Sequence, residues 1–194
     1  MRRRHVSIIL GAMVALMAGA DEVPPEATPA TRPAGRAAGE FSRKAIDVGL
    51  VVRDVERSVS WYRDVIGLKP LTTIDIEADF SGHAGLTDYK LFRVHVLAMD
   101  DSDGAARLKV MHIPETEPAA CPTEFIHSAY GIRYLTIFVK DLTAALRRAE
   151  AAGARPLVNG PVRFPEELGD HNWLACLRDP DGNIVELIGP VRMP

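Results

Sequence analysis

Six histidines and two cysteines are the side chains of this chain best suited to metal binding, proton transfer or nucleophilic attack. Their spacing supplies no ready-made centre. No two histidines show the i, i+4 spacing of an HExxH helix, and Cys121 and Cys176 have no metal-ligand spacing. His83 and His171 fall in loop-like segments, His127 in a connector and His5 in an N-terminal apolar stretch. His112 alternates in step with Leu108 and Val110, as a helix-packing position would. His95 lies opposite Phe92, Val94 and Val96, and is the histidine placed to reach a ligand cavity. There is no G-x-S-x-G elbow, no P-loop and no dinucleotide fingerprint. Asp179-Pro180-Asp181-Gly182-Asn183 lacks the remaining ligands of a calcium loop and reads as a hairpin turn.

The elements that must position these groups are legible from periodicity. In residues 46–52, Ile46, Val48, Leu50 and Val52 alternate with Asp47, Gly49 and Val51, as a strand with one packed face does. Asp54 stands where a helix N-cap belongs, and Val55, Val59, Tyr62 and Ile66 follow on one helical face. Gly67 then supplies the left-handed C-terminal cap. Residues 71–76 read as a strand, 77–89 as a loop, and 90–99 and 107–113 as strands, the last with Lys109 and Met111 opposite Leu108, Val110 and His112. The strand-cap-helix pattern returns in residues 132–154 at a constant offset. Asp54 matches Asp141, Val55 matches Leu142, Val59 matches Leu146 and Asp47 matches Tyr134. Each copy ends in a further apolar strand, so the chain carries a duplicated module. Module one spans 45–113, a Pro-rich connector 114–131, and module two 132–190.

The two copies, with V-x-D-x-x-x-S-x-x-W-Y-R-D-V-I-G-L in the first and R-D-P-D-G-N-I-V-E-L at 178–187 in the second, resemble the vicinal oxygen chelate superfamily. Its members include glyoxalase I, the bleomycin- and fosfomycin-resistance proteins and the extradiol dioxygenases. The resemblance implies an α+β fold over 41–194: two βαβββ modules forming an open, U-shaped mixed β-barrel around a cavity, with the helices outside.

In that family the metal ligands come from the first and last strands of each module and point into the cavity. The resemblance places those positions on Asp47, Lys109, Tyr134 and Glu186, and the strand alternation agrees with cavity-facing orientations. The family uses His, Gln or Glu there; only Glu186 is retained. Asp47 and Glu186 could ligate a hard cation, Tyr134 is a poor ligand near neutral pH, and a protonated lysine has no lone pair to offer. The expectation is that no metal cofactor is bound and that the Lys109 ammonium takes its role, bridging Asp47 and Glu186 with the Tyr134 hydroxyl beside them. Buried charges persist only when paired in this way.

This predicts a cavity for a small organic molecule, walled by Met111, Phe138, Ile184 and Ile188 and oriented by Lys109 and His95, as in the bleomycin-resistance branch. Asp47 or Glu186 as base and Tyr134 as acid could also abstract or move a proton; binding alone and binding with chemistry look the same in sequence. The alternative is a metal-dependent lyase or dioxygenase with a non-standard ligand set that includes Asp47 and Glu186.

Bulk properties narrow the partners. A net charge of −3 gives no basic footprint for nucleic acid, and 6% aromatic residues do not make a base-stacking surface. Arg2, Arg3 and Arg4, an apolar run over 6–17 and Ala18-Gly19-Ala20 read as a signal peptide over 1–20. The run is shorter than the roughly 20 residues a membrane span takes; an uncleaved N-terminal anchor is the alternative. Export to the periplasm or the exterior follows, with no membrane partner after cleavage. Residues 21–40, rich in Pro, Ala, Thr and Gly, read as a disordered leader. An oxidising compartment permits a Cys121–Cys176 disulfide, although Cys176 also fits a plain buried thiol. Two modules can close a cavity within one chain or by exchange in a homodimer.

Overall fold

The computed structural model describes residues 41–165 and 172–192. The segments expected as a signal peptide (1–20) and a leader (21–40), together with His171, lie outside the described residues. Module one runs through β1 (Val48–Val51), α1 (Val55–Trp61) and a π-helical turn (Tyr62–Ile66), then β2 (Lys69–Ile76), α2 (Ala78–His83), β3 (Phe92–Ala98) and β4 (Arg107–His112). Module two runs through β5 (Tyr134–Phe138), α3 (Leu142–Ala151), a short β6 (Val162–Arg163), β7 (Trp173–Arg178) and β8 (Ile184–Gly189).

Both helices begin as their sequences dictate. The Asp54 carboxylate accepts from the Arg57 amide at 3.0 Å, and the Asp141 carboxylate accepts from the Ala144 amide at 3.0 Å. Gly67 closes the π-helical turn at φ +90°, where a residue with a Cβ is strained. The segment expected as a loop over 77–89 instead contains α2. Its Ser81 is buried, its one hydroxyl proton within reach of the Ala78 and Lys90 carbonyls at 2.9 and 2.8 Å, and its oxygen 2.8 Å from the Thr87 hydroxyl, which can donate to it. That polar knot stabilises one helical turn which apolar periodicity cannot reveal.

The strands form two four-stranded sheets ordered β1-β4-β3-β2 and β5-β8-β7-β6. β1 is parallel to β4 and β5 is parallel to β8; the other pairs are antiparallel. This is the βαβββ order twice, in open mixed sheets that do not close into a barrel. One core joins the modules on the helix sides of the sheets. It takes Val52, Leu108 and Val110 from one sheet, Ile137, Leu177 and Leu187 from the other, and Tyr62, Val65, Leu142 and Ala145 from the helices. A second, smaller cluster of Phe92, Val94, Val96 and Ile113 sits on the opposite face of the first sheet, packed with Met111 and Ile76. No helix among the described residues is long and apolar enough to cross a membrane.

Two polar ties cross between the modules. Arg148 of α3 donates to the Val65 carbonyl at 3.0 Å and to the Ile66 carbonyl at 2.6 Å, satisfying the end of the π-helical turn. The Tyr62 hydroxyl donates to Asp179 at 2.9 Å, and Asp179 is only 5% exposed. Asp179 also accepts from the Asp181 and Asn183 amides and from the Asn183 side chain. The hairpin turn at Asp179-Pro180-Asp181-Gly182-Asn183 therefore docks one module on the other. Gly182 has φ +89°, and a Cβ there would stand 2.8 Å from the Thr123 hydroxyl of the connector.

Candidate functional site

The site is built from two half-sites, one on each sheet. In the first, Asp47 immediately precedes β1 and Lys109 is central in β4. The parallel register pairs Gly49 with Lys109 and Val51 with Met111, so Asp47, Lys109 and Met111 share the face away from the helices. Lys109 Nζ lies 3.0 Å from Asp47 Oδ2, with the two side chains 41% and 16% exposed. Arg43 Nη2 donates to Asp47 Oδ1 at 2.7 Å. Burial alone would raise the Asp47 pKa, but the hydrogen bonds and charges of Lys109 and Arg43 together outweigh it and hold the carboxyl below its ordinary value.

In the second half-site, Tyr134 and Thr136 of β5 share a face with Ile184 and Glu186 of β8. The Thr136 hydroxyl donates to Glu186 Oε2 at 2.7 Å. Cys176 of β7 is the cross-strand neighbour of Glu186; burial, with the Glu186 charge added, pushes its thiol pKa up. Ile184 and Ile188 are buried on this face, whereas Phe138 is 71% exposed and Tyr134 is 45% exposed.

The expected quartet is thus gathered as two pairs. Among the described residues, Lys109 pairs with Asp47 and Glu186 bonds to Thr136, and no ion pair links Lys109 to Glu186. The bridge expected between the two carboxylates is corrected on this point. The modules join through the helix sides of their sheets, which leaves the opposite faces, where both pairs sit, outside the shared core.

His95 is a second correction. The antiparallel register sets His95 across from Val110, while Val96 opposes Lys109 and Val94 opposes Met111. Directly opposed residues share a face, so the valines, and not His95, stand beside the ion pair. The three apolar residues of β3 look like helix-packing positions in sequence but form the small second cluster.

Arg43, Thr136 and Arg107 are site neighbours that no motif singles out in the sequence, whereas Cys176 stands out there only as a thiol. Arg43 carries an i, i+4 spacing to Asp47, and Thr136 stands two residues from Tyr134 on the same strand face, so both signals were present. Arg107 precedes Lys109 by two on the same face, and its Nε is buried without a hydrogen-bond partner. Cys121 and Cys176 are both free thiols. Cys121 is exposed and accepts from Arg133 Nη1 at 2.9 Å.

The donor set does not fit a divalent ion. Both oxygens of Asp47 are already held by cationic side chains, and an ion beside Lys109 would face like-charge repulsion. Among the described residues no three His, Cys, Asp or Glu side chains are grouped as metal ligands.

A family model described as the glyoxalase/bleomycin resistance protein/dioxygenase superfamily matches residues 45–187. The chain belongs to this superfamily. Among curated members, the chain is 28% identical to a lactoylglutathione lyase from Pseudomonas putida, over 74% of this chain and 83% of that protein. A solved glyoxalase family protein from Bacillus cereus superposes with a TM-score of 0.65 at 18% identity, covering 81% of this chain and all of that one. An antibiotic binding protein from Streptomyces sp. CB03234 superposes at 0.50 with 20% identity, covering 75% and 94%. These likenesses establish the superfamily fold of two paired modules.

Proposed function

We propose that this protein is a metal-independent member of its superfamily that binds a small organic molecule, exported to the periplasm or the exterior, its cavity completed by a second copy of the chain. The observation that carries the reading is the Lys109–Asp47 contact of 3.0 Å at two superfamily ligand positions. A cation fixed in the protein neutralises the carboxylate that a metal would otherwise need.

The second copy is supported by what the edges leave open. β1 and β5 are the outer strands of their sheets, and Val51, Tyr134 and Phe138 on them are exposed. Exposed apolar groups beside an incomplete polar site mark an interaction surface. The Tyr134–Glu186 half of one chain set over the Asp47–Lys109 half of another would assemble the quartet, with Met111, Phe138, Ile184 and Ile188 as apolar walls. A ligand carbonyl or hydroxyl would meet the Lys109 ammonium. Glu186, or Asp47 once released from its partners, would accept a proton, and the Tyr134 hydroxyl would donate one.

Native mass spectrometry of the exported protein tests these elements together. The expected result is a dimer without stoichiometric Zn, Ni, Fe or Mn, each chain beginning at Asp21. One tightly held metal equivalent per chain would overturn metal independence; a stable monomer at micromolar concentration would overturn the shared cavity. The second reading, a metal-dependent lyase, is favoured by the similarity to lactoylglutathione lyases and by Glu186. It predicts lactoylglutathione turnover that is abolished by chelation and restored by added divalent metal.

A further inference from the structure

A cleft lies on the helix side of the fold, and none of the half-site residues line it. It is an open cleft of about 650 Å³ walled by α1 and the π-helical turn from module one, and by the turn after α3 and the β7–β8 hairpin from module two. That volume is within the roughly 300–1,000 Å³ of small-molecule sites. Arg57, Ser60, Trp61 and Asp64 line one wall at helical spacing, and Arg155 stands on the other.

The charges of the cleft divide into those already used and those left over. Asp64 is held by Arg63, Nε to Oδ1 and Nη2 to Oδ2, both at 2.7 Å. Asp179 is buried beneath Tyr62 and the amides of its own hairpin. Arg178 is spent on the Gly182 and Glu124 carbonyls. Among the described residues, the guanidinium groups of Arg57 and Arg155 have neither a hydrogen-bond nor an ion-pair partner. Trp61 lines the same cleft and is half-buried, its indole set edge-on against Tyr62 at 4.9 Å between ring centroids. The remaining indole surface offers an apolar, π-bearing platform at the cleft wall.

Two unspent guanidinium forks and an indole lining one cleft suit one chemistry. We propose that this cleft binds an aromatic organic anion, a phosphate or carboxylate on a flat ring system. Its charged group is taken by Arg57 and Arg155, and its ring lies against Trp61. Arginine is suited to such anions because its planar fork matches their oxygens bidentately. The site is independent of the cavity proposed above, and because its walls belong to different modules, its ligand braces the contact between them.

Phenyl phosphate is the probe, titrated into the full exported chain by calorimetry. Tryptophan fluorescence of Trp173→Phe isolates Trp61, since the chain has two tryptophans. Saturable binding with a Trp61 signal is expected, weakened roughly tenfold or more in Arg57→Gln and in Arg155→Gln, and unchanged in Lys109→Met. Inorganic phosphate should bind far more weakly, having no ring to stack. Both arginines are exposed, so their variants are expected to keep the wild-type circular dichroism and melting temperature. Equal affinity in the Arg57→Gln/Arg155→Gln double variant, loss of binding in Lys109→Met, or no saturable binding would each overturn the proposal.

Discussion

Lys109 and Asp47 decide the character of the inner site. The Lys109 ammonium stands 3.0 Å from the Asp47 carboxylate, so the protein itself places a cation on this face of the first sheet. The depressed Asp47 pKa has a consequence of definite sign. Its contribution is fully present above the ordinary carboxyl value of about 3.9 and is lost as pH falls through the lower folded value. The melting-temperature difference between wild type and Asp47→Asn should therefore be constant at neutral pH and close as pH falls below about 4. A gap that persists undiminished to pH 2 would show that the variant acts by something other than the lost charge. Lys109→Met is expected to leave Asp47 held by Arg43 alone, raising its pKa toward the ordinary value in an NMR titration.

At the scale of elements, caps and glycines set where each helix starts and stops. Asp141→Ala removes the acceptor of the Ala144 amide and should cost about 1 kcal/mol in urea unfolding. The capping residues, the helix faces and the hairpin turn were all legible in sequence, because each rests on contacts within a few residues. The faces of β3 were not. Phe92, Val94 and Val96 alternate with His95 as helix-packing residues would, yet cross-strand pairing to Lys109 and Met111 sends them to the other side. Alternation divides a strand into two faces; only the neighbouring strand says which face belongs to the core. Gly67→Ala adds strain at φ +90° and brings its Cβ to 3.2 Å from the Arg148 guanidinium. It should destabilise the chain by about 1 kcal/mol or more, and part of that loss should vanish in an Arg148→Ala background.

The whole molecule is held by one core and by the Tyr62–Asp179 bond. Burial, then the Asp179 charge, pushes the Tyr62 pKa well above its ordinary value, so the phenol remains a donor throughout the physiological range. Tyr62→Phe leaves a buried carboxylate short of one donor and should cost about 1–3 kcal/mol. A double-mutant cycle with Asp179→Asn should return a coupling energy; strictly additive losses would mean the bond contributes nothing. Because the same core occupies the helix sides of both sheets, the contact that joins the modules leaves the two polar pairs on the opposite faces.

The sequence by itself determined the duplication, the two capped helices and the odd lysine at position 109, and the family resemblance implied the strand order. These depend on residue type and short-range period, which every homologous backbone must obey. Only the tertiary structure decided that the expected quartet stands as two pairs, that Arg43 and Thr136 bond to its carboxylates, and that two unspent arginines from different modules line one cleft. Those facts arise where segments distant in the chain meet, and no local pattern encodes the direction from which a partner arrives.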